Sequence, residues 1–188
     1  PGDVTDELIE IYRQYPNLAP HFHLPLQSGS NAVLKRMARQ YTAEEFLAIC
    51  RKLKERLDSP ALTTDIIAGF PGETEEDFEK TIEVCRQVEF AKMHIFPFSP
   101  RRGTPAAQMK PKVPSEVIRQ RTKILQQMDR HLQEKFRQRF IGKKVRVILE
   151  QTHPPKGRCD HYFTVDCSAA ESTGPLSKGQ VVYVTVSQ

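Results

Sequence analysis

From its first residues to about Gly103 the sequence repeats one unit: a short apolar run, a turn carrying glycine, and a stretch whose apolar residues recur at helical spacing. Short apolar runs bounded by turn residues read as strands, and the 3.6-residue period reads as helix, so the unit is βα and the chain is an α/β protein. The first run is His21 to Leu26, followed by Gln27-Ser28-Gly29-Ser30 and a helix carrying Val33, Leu34 and Met37. A second helix starts at Thr42, where Thr42 and Glu45 have the spacing of a capping box and Tyr41 is placed to pack on Phe46. Its buried stripe is Phe46, Ile49, Cys50, Leu53 and Leu57. The second run, Leu62 to Ala68, passes through Gly69-Phe70-Pro71-Gly72 into a helix from about Thr74, with Phe78, Ile82, Cys85 and Val88 on its apolar face. Glu75, Glu76 and Asp77 in its first turn complement the positive helix end. The third run, Lys92 to Phe96, enters a loop from Pro97 to Pro105, and a helix over Thr5 to Tyr15 precedes the first run.

Alternating strands and helices imply a parallel sheet with right-handed crossovers. A closed eight-stranded barrel needs about 250 residues, so three units predict part of a barrel whose upstream strands lie outside this chain. Its open strand edge at His21 to Leu26 predicts a non-physiological self-association. A long helix follows, capped by Ser115 and running to about Phe140, with Ile118, Leu125, Met128, Leu132, Phe136 and Phe140 facing the core and Gly142 ending it. Beyond it the pattern changes to strands over Lys143 to Glu150, Tyr162 to Cys167 and Val181 to Ser187, which predicts a small β-barrel-like module. The expected division is 1–140 and 141–188.

Hydrophobic residues make up 38% and charged residues 27%, a balance that fits a globular fold. No stretch approaches the roughly 20 apolar residues of a membrane span, and the start lacks the order of a signal peptide, so the expected location is cytoplasmic, with no membrane. Cys50, Cys85, Cys159 and Cys167 are scattered and suit a reducing compartment. From Glu116 to Lys144 nine Lys or Arg stand against three acids. That basic ridge is either a phosphate-binding surface or a solvated helix face.

In βα architectures ligands sit at the C-terminal ends of the strands. LPLQSGS (Leu24 to Ser30), DIIAGFPGET (Asp65 to Thr74) and HIFPFSPRRGT (His94 to Thr104) therefore converge on one mouth, where glycine lets backbone approach a ligand. Together, HFHLPLQSGSNAVLKRMARQYTAEEF, TTDIIAGFPGETEEDFEKT and HIFPFSPRRGTPAAQM resemble the radical S-adenosylmethionine (SAM) methylthiotransferase family. The resemblance implies the second half of a TIM-like radical SAM barrel, then the long helix, then a truncated TRAM-like RNA-binding module. FPFSPRRGTPAA is most similar to the branch that acts on N6-threonylcarbamoyladenosine beside the anticodon, which implies the tRNA anticodon stem-loop as partner. Branches acting on isopentenyladenosine in tRNA or on a ribosomal protein are the nearest rivals, and a non-catalytic RNA-binding protein is the rival of another class.

The family uses SAM and two 4Fe-4S clusters, one of them held by a CxxxCxxC loop. That motif is absent here, so the residues present imply a piece that binds no cluster and is inert alone. Carried over by motif, Gln27 and Ser28 contact SAM with Gly29 permitting the approach, or else they cap the next helix. Ile67 and Gly69 lie against adenine, whereas Glu73 complements its helix end. Phe96, Pro97 and Phe98 form the last-strand segment that reads adenine edges, or a buried strand end. Arg36, Arg39, Arg101 and Arg102 are near the mouth. The expected RNA-binding residues are Arg130, Arg137, Arg139, Lys143 and Lys144. His21 and His23 share a strand face but lack a nearby Cys or carboxylate in sequence, and the spacing of His153, Cys159, His161 and Cys167 fits no zinc finger, so no metal site is expected.

Overall fold

The computed structural model describes residues 2–170 and 174–187. Helix α1 (Asp6–Gln14) is capped by Thr5 and leads to strand β1 (His21–His23). Two helices follow, α2 (Asn31–Arg36) and α3 (Ala43–Arg56), the second opened by the Thr42/Glu45 capping box. Strand β2 (Ala61–Ala68), helix α4 (Glu75–Val88) and strand β3 (Lys92–Pro97) complete the βα series. The three strands form one parallel sheet in the order β1-β2-β3. β1 ends earlier than the apolar run does, and the chain rejoins the sheet only at Gln27, which bridges Ile66.

The two faces of this sheet differ. Phe22, Leu24, Leu62, Ile66, Ala68, Met93 and Ile95 point into a core shared with the helices, where Phe46, Leu53, Phe78, Ile82 and Val88 lie. By alternation the opposite face carries His21, His23, Ala61, Thr63, Asp65, Ile67, Lys92, His94 and Phe96. Parallel sheets are ordinarily covered on both faces; this one is covered by helices on one and lined with polar side chains on the other.

After the short helix α5 (Pro105–Gln108), the long helix α6 (Ser115–Gln138) runs along the edge of β3. Ser115 is its first residue rather than its cap: Pro114 occupies that position, and no side chain caps the end. Asp129 of α6 accepts hydrogen bonds from the Met93 N–H (2.8 Å) and from Lys92 Nζ (2.5 Å), so the helix occupies the place of a fourth strand.

The remainder is an antiparallel sheet, ordered β6-β5-β4-β7, of β4 (Lys144–Thr152), β5 (Pro155–Cys159), β6 (Thr164–Asp166) and β7 (Val181–Thr185). The sequence pattern hides β5 because Pro154, Pro155 and Gly157 imitate a turn; Pro at the first position of a strand is tolerated. One face buries Val145, Val147, Leu149, Val165, Val182 and Val184 against Phe136 and Phe140 from the end of α6. The strands do not close into a barrel among the described residues. This sheet lies beneath the N-terminal ends of the parallel strands: the His161 ring bonds the Ser59 carbonyl at 3.0 Å, and Tyr162 stacks on His21 at 4.0 Å. Among the described residues no helix is long and apolar enough to cross a membrane.

Candidate functional site

The three turns singled out in the sequence lie at one end of the sheet. Backbone bonds hold them there: Gln27 N–H to the Asp65 carbonyl, Ile67 N–H to the Gln27 carbonyl, and Phe98 N–H to the Ala68 carbonyl, at 2.8, 3.0 and 2.8 Å. The QSGS turn is fastened to α4. Ser30 caps α2 and gives its hydroxyl to Asp77 at 2.5 Å; the Gly29 N–H donates to Thr81 Oγ1 at 2.9 Å, and Ser28 Oγ lies 3.3 Å from the same hydroxyl. A Cβ on Gly29 would stand 2.5 Å from the Lys80 carbonyl oxygen, so glycine is needed here for contact with α4. Ser28 is fully buried. Gln27, by contrast, adopts a left-handed backbone (φ 64) and is only 7% exposed, yet no group among the described residues hydrogen-bonds its side-chain amide.

The GFPGE turn closes on itself through Glu73. Its carboxylate accepts from the Gly69 N–H at 2.8 Å and from Arg121 of α6 at 2.7 Å, while Arg121 also reaches Glu75 and lies over Phe78. Burial pushes the Glu73 carboxyl up from its ordinary value, opposed by the Gly69 N–H and the guanidinium. The sequence expectation that Glu73 serves the helix end misses this task, because its partner lies 48 residues away. Gly69, at φ +79, faces Ile118, whose side chain fills the space an added Cβ would need.

At the rim Ile67 and Phe96 are register partners on the face opposite the helices, and Phe96 remains 51% exposed. Pro97 is exposed, and Phe98 packs edge-on against Phe70. Ile67 and Phe96 thus form an apolar patch near the Gln27 amide at the strand ends. Arg36 rests against Gly72 and 3.9 Å from Asp77, while Arg39, Arg101 and Arg102 are exposed.

The four thiols do not fit an iron–sulfur cluster. All are buried, Cys50 and Cys85 in one core and Cys159 and Cys167 in the other. Burial pushes Cys50 up to about 12 and Cys159 up to about 11, far from a thiolate ligand. Among the described residues no group of three or more His, Cys, Asp or Glu is arranged to hold a metal.

The expected RNA-binding residues separate. Arg130 and Arg137 line a groove of about 580 Å³ between α6, β3 and the small sheet. Lys92, His94, Arg158 and Tyr162 join them there, none of them suggested by sequence spacing. Arg139 turns away and, with Lys135, pairs with Glu89. Lys143 lies over Phe140, and Lys144 over Tyr183 of the small sheet.

The class is that of a helix-backed parallel sheet with three turns gathered at one end, and residues 1–85 match the model of the Radical SAM superfamily. The chain is 42% identical over 189 residues to the tRNA-2-methylthio-N(6)-dimethylallyladenosine synthase of Geobacillus kaustophilus, covering 100% of this chain and 36% of that protein. It is 46% identical to the Bacillus subtilis protein of the same name, covering 100% of this chain and 37% of that one. Against the threonylcarbamoyladenosine tRNA methylthiotransferase MtaB of Thermotoga maritima it is 43% identical over 148 residues, which cover 79% of this chain and 34% of that protein. The chain belongs to the radical SAM methylthiotransferase family, and it spans about a third of the length of the curated relatives it matches.

Proposed function

We propose that the protein to which this chain belongs is a tRNA methylthiotransferase, and that these residues form one wall of its SAM site together with part of its RNA-binding surface. The observation that carries the reading is the open mouth: Gln27, Ile67 and Phe96 stand side by side where three strands end, offering an amide and an apolar platform to an adenosine-bearing ligand. Ser28, Gly29 and Ser30 hold that wall rigid by bonding to α4, and Glu73 with Arg121 fixes the GFPGE turn. When bound, SAM and its iron–sulfur partner supply the radical chemistry and the methyl group. The residues described here bind, orient and shield.

RNA contact is assigned to the groove lined by Arg130 and Arg137, where Arg158, itself paired with Glu150, lies over the Tyr162 ring and Lys92 is paired with Asp129. Phosphate attraction and ring stacking are the two contributions such a surface offers an RNA loop. The proposed substrate is N6-threonylcarbamoyladenosine beside the anticodon, supported by the segment Phe96 to Ala107. A second reading, N6-dimethylallyladenosine, is favoured by the names of the relatives that cover the whole chain.

The test is anaerobic reconstitution of the full-length protein followed by mass spectrometry of tRNA nucleosides. A 2-methylthio product carrying the threonylcarbamoyl group supports the first substrate, and one carrying the dimethylallyl group supports the second. If neither tRNA gains a methylthio group, both readings are wrong.

A further inference from the structure

Below the Ile67 and Phe96 rim, the face of the parallel sheet opposite the helices carries a chain of polar side chains, with Thr63 fully buried at its centre. His21 Nε2 lies 2.9 Å from Thr63 Oγ1, His23 Nδ1 lies 3.0 Å from the same hydroxyl, and His23 Nε2 lies 3.3 Å from Asp65 Oδ2. The single Thr63 proton can go to only one of the two rings, so the other ring donates to the Thr63 oxygen, and His23 also faces Asp65 across the ion-pair distance. Its second oxygen, Oδ1, has no partner among the described residues. Asp65 is also the single carboxylate on this face of the three strands, and Lys92, the nearest cation in register, is held by Asp129 instead.

A part-exposed carboxylate that faces His23 through one oxygen and is paired with no Lys or Arg among the described residues is suited to a ligand N–H. His94 is the register partner of Asp65, lies 5.8 Å from the His23 ring, and lines the basic groove. A second cavity of about 260 Å³ follows the edge of β3 from Lys92 to Phe96, with Gln126 and Asp129 of α6 on its other side. Asp65 lies beside His94 in register and two residues, or about 6.6 Å, below Ile67, with its side chain 28% exposed.

We propose that Asp65, positioned by His23 and Thr63, accepts a hydrogen bond from the exocyclic N–H of an adenine base, and that this base is the target nucleotide of the RNA. The inference rests on the proposed tRNA-modifying function. Either N6 substituent considered above leaves one N–H on the base, and the adenine of SAM offers the same chemistry, so the experiment separates the two sources.

Full-length protein is titrated by fluorescence anisotropy with two labelled anticodon stem-loops, one with adenosine at the target position and one with purine riboside, which lacks the amino group. SAM binding is measured in parallel by equilibrium dialysis. The native protein is expected to favour adenosine by roughly tenfold, the scale of one hydrogen bond to a charged group. Asp65→Asn should bring that ratio close to one while leaving SAM affinity unchanged, and His23→Gln should reduce it part way. Loss of SAM affinity with the base preference intact would move the acceptor to the cofactor and overturn the assignment. An absence of base preference in the native protein overturns it without any variant. RNA that binds without preference sinks only this inference, whereas failure to bind either RNA sinks the tRNA-modifying reading as well.

Discussion

At Gly29 the missing side chain is a packing requirement: the backbone of α4 lies where a Cβ would be, at 2.5 Å from the Lys80 carbonyl oxygen. Backbone cannot step aside as a flexible side chain can, so Gly29→Ala should lower stability by about 1–3 kcal/mol, read from denaturant unfolding. Asp77 on the same helix collects the Ser30 hydroxyl, the Thr74 N–H and the Thr74 hydroxyl at 2.5, 3.0 and 2.9 Å. Burial acts to raise its pKa, but these donors and Arg36 outweigh burial and hold the carboxyl below its ordinary value of 3.8. A depressed folded value contributes stability that is present above 3.8 and is lost as the pH falls through the lower folded value. Asp77→Asn should therefore lower the melting temperature at pH 7 and narrow the difference from the native protein as the medium is acidified below 3.8, followed by circular dichroism. The QSGS wording points to this turn, but its attachment to Asp77 and Thr81 spans 47 to 53 residues, and no local pattern encodes such a pairing.

Among the elements, α6 connects most of the molecule. Leu125 and Leu132 belong to the core beneath the parallel sheet, whereas Phe136 and Phe140 at its end belong to the core of the small sheet. Its periodicity is legible as one apolar stripe, but a stripe does not say how many cores it serves. Arg121 on its first half is nearly buried, with a side chain 6% exposed against a Glu73 side chain 1% exposed. Removing one partner of a buried pair leaves the other uncompensated, so Arg121→Met should cost about 3–5 kcal/mol in unfolding free energy. Glu73→Gln in the same background should recover part of that loss, since the stranded charge is gone. The turn these residues hold also frames the rim, so Arg121→Met is expected to weaken SAM binding to the full-length protein, as equilibrium dialysis would show.

On the scale of the whole molecule, the proposed functional surface comprises the groove beside the small sheet and the strand ends. If the groove holds RNA, Arg130→Glu combined with Arg137→Glu should flatten the dependence of log K for tRNA on log salt by about 0.7–0.9 for each phosphate that is no longer neutralised. Arg139→Glu should leave the slope near its native value, because that guanidinium already faces Glu89. Titrations at several salt concentrations separate the two outcomes. The sequence by itself determined the βα grammar, most strand and helix positions, the capping boxes and the three turns at one mouth, because periodicity, caps and glycine act over a few residues. It also carried the family resemblance. Only the tertiary structure decided which face of the sheet the helices cover, that Asp65 meets His23 on the other, that Glu73 belongs to Arg121, and that the basic residues divide between a groove and an ion pair with Glu89. Each of these joins side chains from different strands or helices, and distances across a fold are set by how elements pack rather than by spacing along the chain.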